Sequence, residues 1–239
     1  WQSRAGEVAE TAEATLWKPE GARALAYLQG RGFADGTIRA GRLGYIAMDR
    51  HENAEAWGLP ADHRDIWIPR GIAIPWRAGS VMWRLNVRRP GGEPKYCGPA
   101  GSANALYGAD WVPRGLPVVL VEGEFDALAV AQEAGDLVTT VATGSTHGAR
   151  QPQWRRLLAK APLVLVAYDG DKAGEDASAW WLDILPGARR LVPEGDPAAM
   201  LEAGADLRAW VSSALADRQG LDVEETASHC DRVTCHAVT

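Results

Sequence analysis

The second half of the chain alternates short apolar runs with helix-forming segments, and this alternation constrains the fold more than any other feature. The apolar runs lie at residues 118–121, 137–142, 163–168 and 188–192, and the helical segments at 125–133, 152–160, 173–185 and 198–213. Strands that alternate with helices need crossover connections, which are right-handed and produce a mainly parallel sheet. We therefore predict an α/β domain over residues 115–215, with helices flanking the sheet.

The first half has a different pattern of apolar residues, and this pattern predicts a smaller α+β subdomain over residues 1–114. Residues 1–30 carry apolar side chains at helical spacing, with a break near Pro19, and residues 35–40 predict a second, short helix. Short strand-like runs follow at 66–69, 72–75 and 81–85, the last two joined by a turn at Gly79 and Ser80. Residues 48–65 read as an irregular connection, and residues 216–239 as a polar tail.

Charge is unevenly distributed between these parts. The chain has a net charge of −6. Residues 64–96 hold seven basic side chains against two acidic ones, which leaves +5 in this stretch and −11 elsewhere. A basic segment joined to an acidic one suits a site in which one part holds phosphates and the other holds metal. The basic residues are Arg64, Arg70, Arg77, Arg84, Arg88, Arg89 and Lys95.

Several classes of protein are disfavoured by composition. No apolar run approaches the ~20 residues of a membrane span, and three cysteines are too few for a disulfide framework. These features predict a cytoplasmic protein without a membrane partner. His229, Cys230, Cys235 and His236 cluster near the end, but adjacent ligands around a short loop lack the usual spacing of a zinc site. We interpret this cluster as part of the tail.

Acidic side chains follow the predicted strands at the edge where a parallel sheet places its ligands. Glu122 directly follows the strand at 118–121, and Asp126 comes one helical turn later. Asp169 and Asp171 directly follow the strand at 163–168, and Asp196 follows the fourth strand after a turn. Each alone could be a solvated turn residue or a helix N-cap. Together they predict a carboxylate cluster.

A cluster of like charges is costly unless a cation neutralises it. Carboxylate oxygens favour Mg²⁺ or Mn²⁺ over zinc. Such ions could activate an attacking hydroxyl and stabilise a leaving oxygen. The residues alone therefore predict a metal site centred on Glu122, Asp169 and Asp171, with Asp126 and Asp196 as further candidate ligands.

Two segments of this cluster resemble the signature motifs of the TOPRIM domain, which primases, topoisomerases and some nucleases share. They are residues 121–128 (VEGEFDAL) and 168–174 (YDGDKAG). The resemblance implies Glu122 as the catalytic acid/base near the metal and Asp169 and Asp171 as metal ligands, with Asp126 in support. Gly195-Asp196-Pro197 resembles a late turn of the primase version, which implies Asp196 as a further ligand.

The first half is similar to the catalytic core of bacterial and phage replicative primases. The similar segments are residues 25–46, the strand pair from Ile74 to Arg88, residues 94–96 (PKY) and residues 106–108 (LYG). With the TOPRIM motifs, the resemblance extends over roughly residues 20–205. It implies a DNA-directed RNA polymerase that makes short RNA primers from NTPs on single-stranded DNA, in a phage or other mobile element or a bacterium.

The basic residues receive roles from their chemistry within this family. Arginine offers a bidentate fork to phosphate, and tyrosine can stack on a base. We assign Arg88 and Lys95 to nucleotide phosphates, Arg77 and Arg84 to the template strand, and Tyr96 to base stacking. The chain departs from the cellular pattern after Tyr96, where Cys97-Gly98 stands in place of asparagine and no second lysine follows before Leu106.

The expected partners are single-stranded DNA, NTPs, the nascent RNA primer and a replicative helicase or other replication protein. Two alternatives stay open. A TOPRIM nuclease would use the same metals for hydrolysis and would need no NTPs. A non-catalytic single-stranded DNA-binding module of a replication complex would keep its function without Glu122 and Asp169.

Overall fold

The computed structural model describes residues 1–216, so the predicted tail beyond residue 216 and the His229, Cys230, Cys235, His236 cluster lie outside the described residues. The helices are α1 (Gln2–Leu16), α2 (Ala22–Gly30), α3 (Asp35–Ala40), α4 (Glu124–Ala134), α5 (Pro152–Leu158), α6 (Lys172–Ile184) and α7 (Pro197–Glu202). The strands are β1 (Gly44–Ile46), β2 (Arg50–Glu52), β3 (Ile66–Ile68), β4 (Gly71–Ala78), β5 (Val81–Arg88), β6 (Tyr96–Cys97), β7 (Val118–Val121), β8 (Thr139–Ala142), β9 (Val164–Val166) and β10 (Arg189–Arg190).

The second half forms the predicted parallel sheet. Its strand order is β10-β9-β7-β8, and every neighbouring pair runs parallel. All residues of β7, β8 and β9 are buried, as expected for strands of a parallel sheet covered on both faces by helices. The mainly parallel α/β architecture is therefore confirmed, with β7 and β9 adjacent at its centre.

The first half contains an antiparallel sheet of order β1-β4-β5-β6. Its two long strands, β4 and β5, form the predicted hairpin around Gly79, and a register shift interrupts their pairing between Trp76 and Arg77. A separate two-stranded ribbon pairs β2 with β3. Strand β2 lies inside residues 48–65, so our interpretation of that stretch as irregular is wrong for Arg50–Glu52.

Helix boundaries follow local chemistry. Pro19 begins a short 3-10 helix that separates α1 from α2, as the sequence predicts. The single helix predicted over 198–213 is instead two, because the chain turns at Gly204, whose φ of +75° ends the helical path. The second of these helices starts at residue 207 and continues to the end of the described residues.

One large hydrophobic core joins the two halves. It combines Leu28, Ile38 and Trp76 from the first half with β7, β9 and the helices around them. A smaller cluster lies between α1 and the outer face of the antiparallel sheet. The boundary we predict near residue 114 therefore separates two types of topology that share a core. No helix within residues 1–216 is both long and apolar enough to cross a membrane.

Candidate functional site

The two central strands of the parallel sheet, β7 and β9, are each followed by an acidic residue at the same edge of the sheet. Glu122 follows β7 and Asp169 lies three residues after β9, whose neighbour is β7. Burial raises the pKa of Glu122, and the negative charges of Asp169 and Asp171 raise it further. Burial also raises the pKa of Asp169, with added repulsion from Asp196 and Asp171. These mutual effects show that the four carboxyl groups share one electrostatic environment.

Asp126 and Asp196 lie beside each other at this edge. Burial, followed by the contact with Asp196, raises the pKa of Asp126 well above its ordinary value. Burial also acts to raise the pKa of Asp196, but hydrogen bonds from Asp126 and from the Ala199 amide, with the nearby Arg31 charge, lower it overall. The two carboxyl groups therefore influence each other, and the pKa of Asp126 is the one that is raised.

Backbone amides occupy some of the oxygens that the sequence assigns to metal. Asp171 caps α6 by accepting from the Gly174 amide at 2.7 Å, and Asp196 caps α7 by accepting from the Ala199 amide at 2.9 Å. Asp126 accepts from Gly123 at 3.2 Å and Ala198 at 3.1 Å. Among residues 1–216, no three side chains of Asp, Glu, His or Cys are arranged to hold one ion together.

The donor set nevertheless fits a hard divalent cation. It consists of carboxylate oxygens alone, which Mg²⁺ and Mn²⁺ prefer. Burial, and then repulsion from neighbouring carboxylates, raise the pKa of Glu122 and Asp169, and a cation would relieve both effects. Mg²⁺ also keeps several waters and needs few protein ligands. Residues that could hold it are Glu122, Asp169 and Asp171, with the Asp126–Asp196 pair alongside.

Two residues that sequence reasoning missed hold the end of β9. The buried Tyr168 hydroxyl contacts Thr143 Oγ1 at 2.8 Å and accepts from Trp181 Nε1 at 2.9 Å. Arg190 donates to the carbonyl oxygens of Val166 at 3.0 Å and Tyr168 at 2.8 Å. Both anchor the backbone immediately before Asp169. Their sequence signal is only a tyrosine and an arginine at strand ends, and neither indicates its distant partners.

The two arginines of β5 are half-buried beside aromatic rings, whereas Lys95 is exposed. The Arg88 guanidinium lies 4.7 Å from the Tyr27 ring centroid and 5.9 Å from that of Phe125, in the first turn of α4. Tyr96 is on its other side at 6.0 Å, and Lys95 Nζ lies 5.8 Å from the same ring. Burial raises the pKa of Tyr96 to about 12, so its hydroxyl stays protonated.

Arg88 also lines a cleft of 570 Å³ in the first half of the chain. Four arginines face it against one aspartate, Asp49, and two tyrosines contribute ring surface. This volume lies within the range of small-ligand sites, which run from about 300 to 1,000 Å³. The arginines are Arg23, Arg70, Arg88 and Arg89, and the tyrosines are Tyr27 and Tyr45. The cleft is therefore sized and charged for an anionic ligand such as a nucleotide.

The other two predicted basic residues lie further along the hairpin. The Arg84 guanidinium is 5.1 Å from the Trp76 ring centroid. Arg77 points toward Glu10 of α1, with a long 3.9 Å separation between Arg77 Nη2 and Glu10 Oε1. His147, in the loop after β8, is exposed, and its Nδ1 lies 3.1 Å from Thr146 Oγ1.

Comparison with known proteins finds similarity to primases in both sequence and fold. A family model described as Toprim-like matches residues 119–199. The DNA primase of Deinococcus radiodurans is 31% identical over 239 aligned positions, which cover 83% of this chain and 40% of the relative. The chain thus spans less than half the length of this relative. A Toprim-like domain in such a protein implies use of a divalent metal ion.

Solved structures show the same fold. A DNA primase domain from Pseudomonas aeruginosa superposes with a TM-score of 0.67 at 23% identity, covering 88% of this chain and 78% of that one. A DnaG primase catalytic domain bound to single-stranded DNA gives a TM-score of 0.68 at 19% identity, with coverage of 87% and 76%. The α+β first half and the parallel sheet thus occur together in these primase domains.

Proposed function

We propose that this chain, which carries a Toprim-like domain within the fold of a bacterial primase catalytic core, synthesises short RNA primers from NTPs on a single-stranded DNA template. The observation that carries the proposal is that a basic side chain of the first half lies close to the acidic edge of the parallel sheet. The acidic sheet edge begins at Glu122. The Arg88 guanidinium lies 5.9 Å from the ring centroid of Phe125, which comes three residues after Glu122 in the chain. A growing primer end and an incoming triphosphate need this pairing of metal-binding and phosphate-binding groups.

The metal in this proposal is Mg²⁺ or Mn²⁺, held by Glu122, Asp169 and Asp171 and supported by Asp126 and Asp196. When bound, the ion polarises phosphate oxygens and lowers the pKa of a coordinated hydroxyl. Glu122 is the catalytic acid/base of the set, and burial together with the charges of Asp169 and Asp171 raises its pKa, which favours proton exchange. Burial and the neighbouring Asp196 both raise the pKa of Asp126, so its negative charge is costly to maintain beside the site.

Nucleotide phosphates bind Arg88 and Lys95 in this proposal, because both cations lie beside Tyr96 and Arg88 opens onto the 570 Å³ cleft. Tyr96 offers its ring to a base. Arg77 and Arg84 on the β4–β5 hairpin contact the template backbone. Half-buried guanidinium groups with few protein acceptors are ready to bind phosphate, because the anion supplies the hydrogen bonds they lack. Arg77 and Arg88 each have a buried Nε without a partner among the described residues.

In this proposal the two parts of the chain have different roles. Residues 1–114 bind nucleotide and template, and residues 115–215 bind metal. The nascent RNA primer lies between them. A replicative helicase is the proposed partner, since a primase acts where the template is unwound.

A primer-synthesis assay tests the function directly. The purified chain, supplied with Mg²⁺ or Mn²⁺, NTPs and single-stranded DNA, should produce short RNA, and Asp169→Asn should not. If the wild-type chain makes no oligonucleotide and binds neither NTP nor DNA, the proposal is wrong. If nucleic acid is degraded without added NTPs, the chain is a nuclease instead.

A non-catalytic DNA-binding module is the second candidate. It draws support from the backbone amides that occupy Asp171 and Asp196 oxygens, and from the absence of a three-ligand group among residues 1–216. In that case the chain should bind single-stranded DNA with unchanged affinity after Glu122→Gln and Asp169→Asn, and it should make no primer with either metal.

A further inference from the structure

Glu124 is a buried carboxylate with no role in the function described so far. It is 4% exposed and lies in the first turn of α4, two residues after Glu122. One oxygen, Oε1, accepts from Trp76 Nε1 at 2.9 Å and from Asn86 Nδ2 at 2.6 Å. Trp76 belongs to β4 and Asn86 to β5, and both are buried. A single carboxylate oxygen therefore ties the start of α4 to both long strands of the antiparallel sheet.

This contact is strong for physical reasons. Hydrogen bonds to a charged acceptor are shorter and stronger than neutral ones, and a low-dielectric surrounding strengthens them further. A carboxylate in the first helical turn is also stabilised by the helix dipole. Loss of the acceptor would leave two buried donors without partners, which is costlier than the loss of a solvated bond.

Trp76 extends the connection to other parts of the candidate site. The Arg84 guanidinium lies over the indole at 5.1 Å, and the Tyr107 ring is 5.7 Å away. Gly144, in the loop after β8, approaches the ring so closely that a Cβ there would lie 2.6 Å from Trp76 Cη2. The indole is thus enclosed by a template-binding candidate, a loop at the acidic sheet edge and Glu124.

We propose that Glu124 is a positioning residue that fixes Glu122 relative to the basic strands through Trp76 and Asn86. The proposal rests on the primer synthesis proposed above. Only Gly123 separates Glu122 from α4, so a shift of the first helical turn moves the Glu122 backbone with it. The strands that hold Glu124 in place also carry Arg84 and Arg88. Glu124 thereby couples the phosphate-binding surface to the metal edge.

A role for Glu124 as a metal ligand is disfavoured by its surroundings. Its Oε1 already accepts two donors in a buried position, one of them from an indole that is fully enclosed. Binding an ion through Oε1 would break these bonds, so only Oε2 is left for a ligand role. In our proposal the negative charge of Glu124 is therefore not needed, whereas an oxygen that accepts both hydrogen bonds is required.

The experiment compares two substitutions at this position with one at its partner. Glu124→Gln keeps an acceptor oxygen for both donors, Glu124→Leu removes it at similar volume, and Trp76→Phe removes one donor. Primer synthesis is measured as kcat and KM for NTP on a fixed template, with unfolding in urea as the check on folding. We expect Glu124→Gln to retain kcat within about threefold, and Glu124→Leu to lower kcat at least tenfold in a folded protein with KM changed less than threefold.

Two results would overturn the proposal. If Glu124→Gln loses kcat as severely as Glu124→Leu, the negative charge acts directly. If folded Glu124→Leu and Trp76→Phe both keep the wild-type kcat, the contact has no influence on the reaction. A wild-type chain that makes no primer would instead refute the proposed function, and it can be told apart because the unsubstituted protein fails in the same assay.

Discussion

Arg190 donates from Nη2 to the carbonyl oxygen of Tyr168 at 2.8 Å and from the same atom to Glu175 Oε1 at 2.7 Å. Its Nη1 donates to the carbonyl of Val166 in β9 at 3.0 Å. The side chain is 16% exposed. One guanidinium therefore joins the end of β9, the backbone before Asp169 and the first turns of α6.

Replacing this guanidinium should weaken both fold and site. Arg190→Ala leaves carbonyls at the end of β9 without their donor, and we expect a loss of about 2 kcal/mol in the free energy of unfolding. Displacement of Asp169 should lower kcat on the order of tenfold. Arg190→Lys should recover little, because an ammonium cannot span these acceptors. Urea unfolding and primer synthesis measure the two effects, and a stable, fully active Arg190→Ala variant would contradict the assignment.

Asp171 has a structural and a proposed catalytic role that two substitutions can separate. Asparagine keeps the N-cap bond to Gly174, so Asp171→Asn should leave stability nearly unchanged while reducing primer synthesis roughly a hundredfold. Asp171→Ala should lose the same activity and, in addition, about 1 kcal/mol of stability.

The matched control for Asp171 is Asp206, which caps a helix in the same way by accepting from the Ala209 amide at 2.8 Å. Asp206→Ala should lose a similar amount of stability and keep its activity. Equal activity in Asp171→Asn and wild type would show that this residue acts only as a cap.

The sheet could be predicted because its strands are marked by local sequence. The run at 118–121 is entirely apolar and flanked by Pro117 and Glu122, and β7 occupies the same four residues. Acidic residues after such strands must gather at one edge, so Glu122 and Asp169 could be selected before the structure. Arg190 and Glu124 could not, because their roles depend on partners 22 and 48 residues away in the chain.

Arg88 should govern nucleotide binding more than turnover. A charge-assisted hydrogen bond to phosphate contributes about 1.5–3 kcal/mol, so Arg88→Ala should raise KM for NTP about tenfold or more. We expect kcat to change less, because the metal edge is intact. Arg42→Ala is the control, since this partly exposed arginine pairs with Glu13 outside the cleft and should leave KM unchanged. An unchanged KM in Arg88→Ala would exclude its assigned role.

Strand β2 shows why a strand made of charged and polar residues cannot be predicted from sequence patterns. Its residues are Arg50, His51 and Glu52, which carry no strand-like apolar pattern. Tertiary contacts of Glu52 hold the strand in place instead. Arg4 donates to it from Nε and Nη2 at 2.8 Å each, Arg50 donates at 3.0 Å, and Trp57 Nε1 donates at 3.0 Å. The strand therefore depends on α1, whose Arg4 lies 48 residues before Glu52 in the chain.

This contact makes stability depend on pH in a defined direction. Hydrogen bonds from Arg4, and then from Arg50, lower the pKa of Glu52 from 4.5 to about 2 against the effect of burial. Because the folded pKa is below the unfolded one, the stabilisation is complete above pH 4.5 and is lost as the pH falls toward 2. We expect Glu52→Gln to cost about 1–2 kcal/mol at pH 7, after allowance for the partly exposed Arg4.

Urea unfolding of both proteins between pH 7 and pH 3 should show that difference shrink below pH 4.5. Glu7→Gln serves as control, because Glu7 contacts the same Arg4 from an exposed position and should cost much less. A wild-type minus Glu52→Gln difference that stays constant down to pH 3 would show that shape and packing, rather than the carboxylate charge, hold β2 against α1.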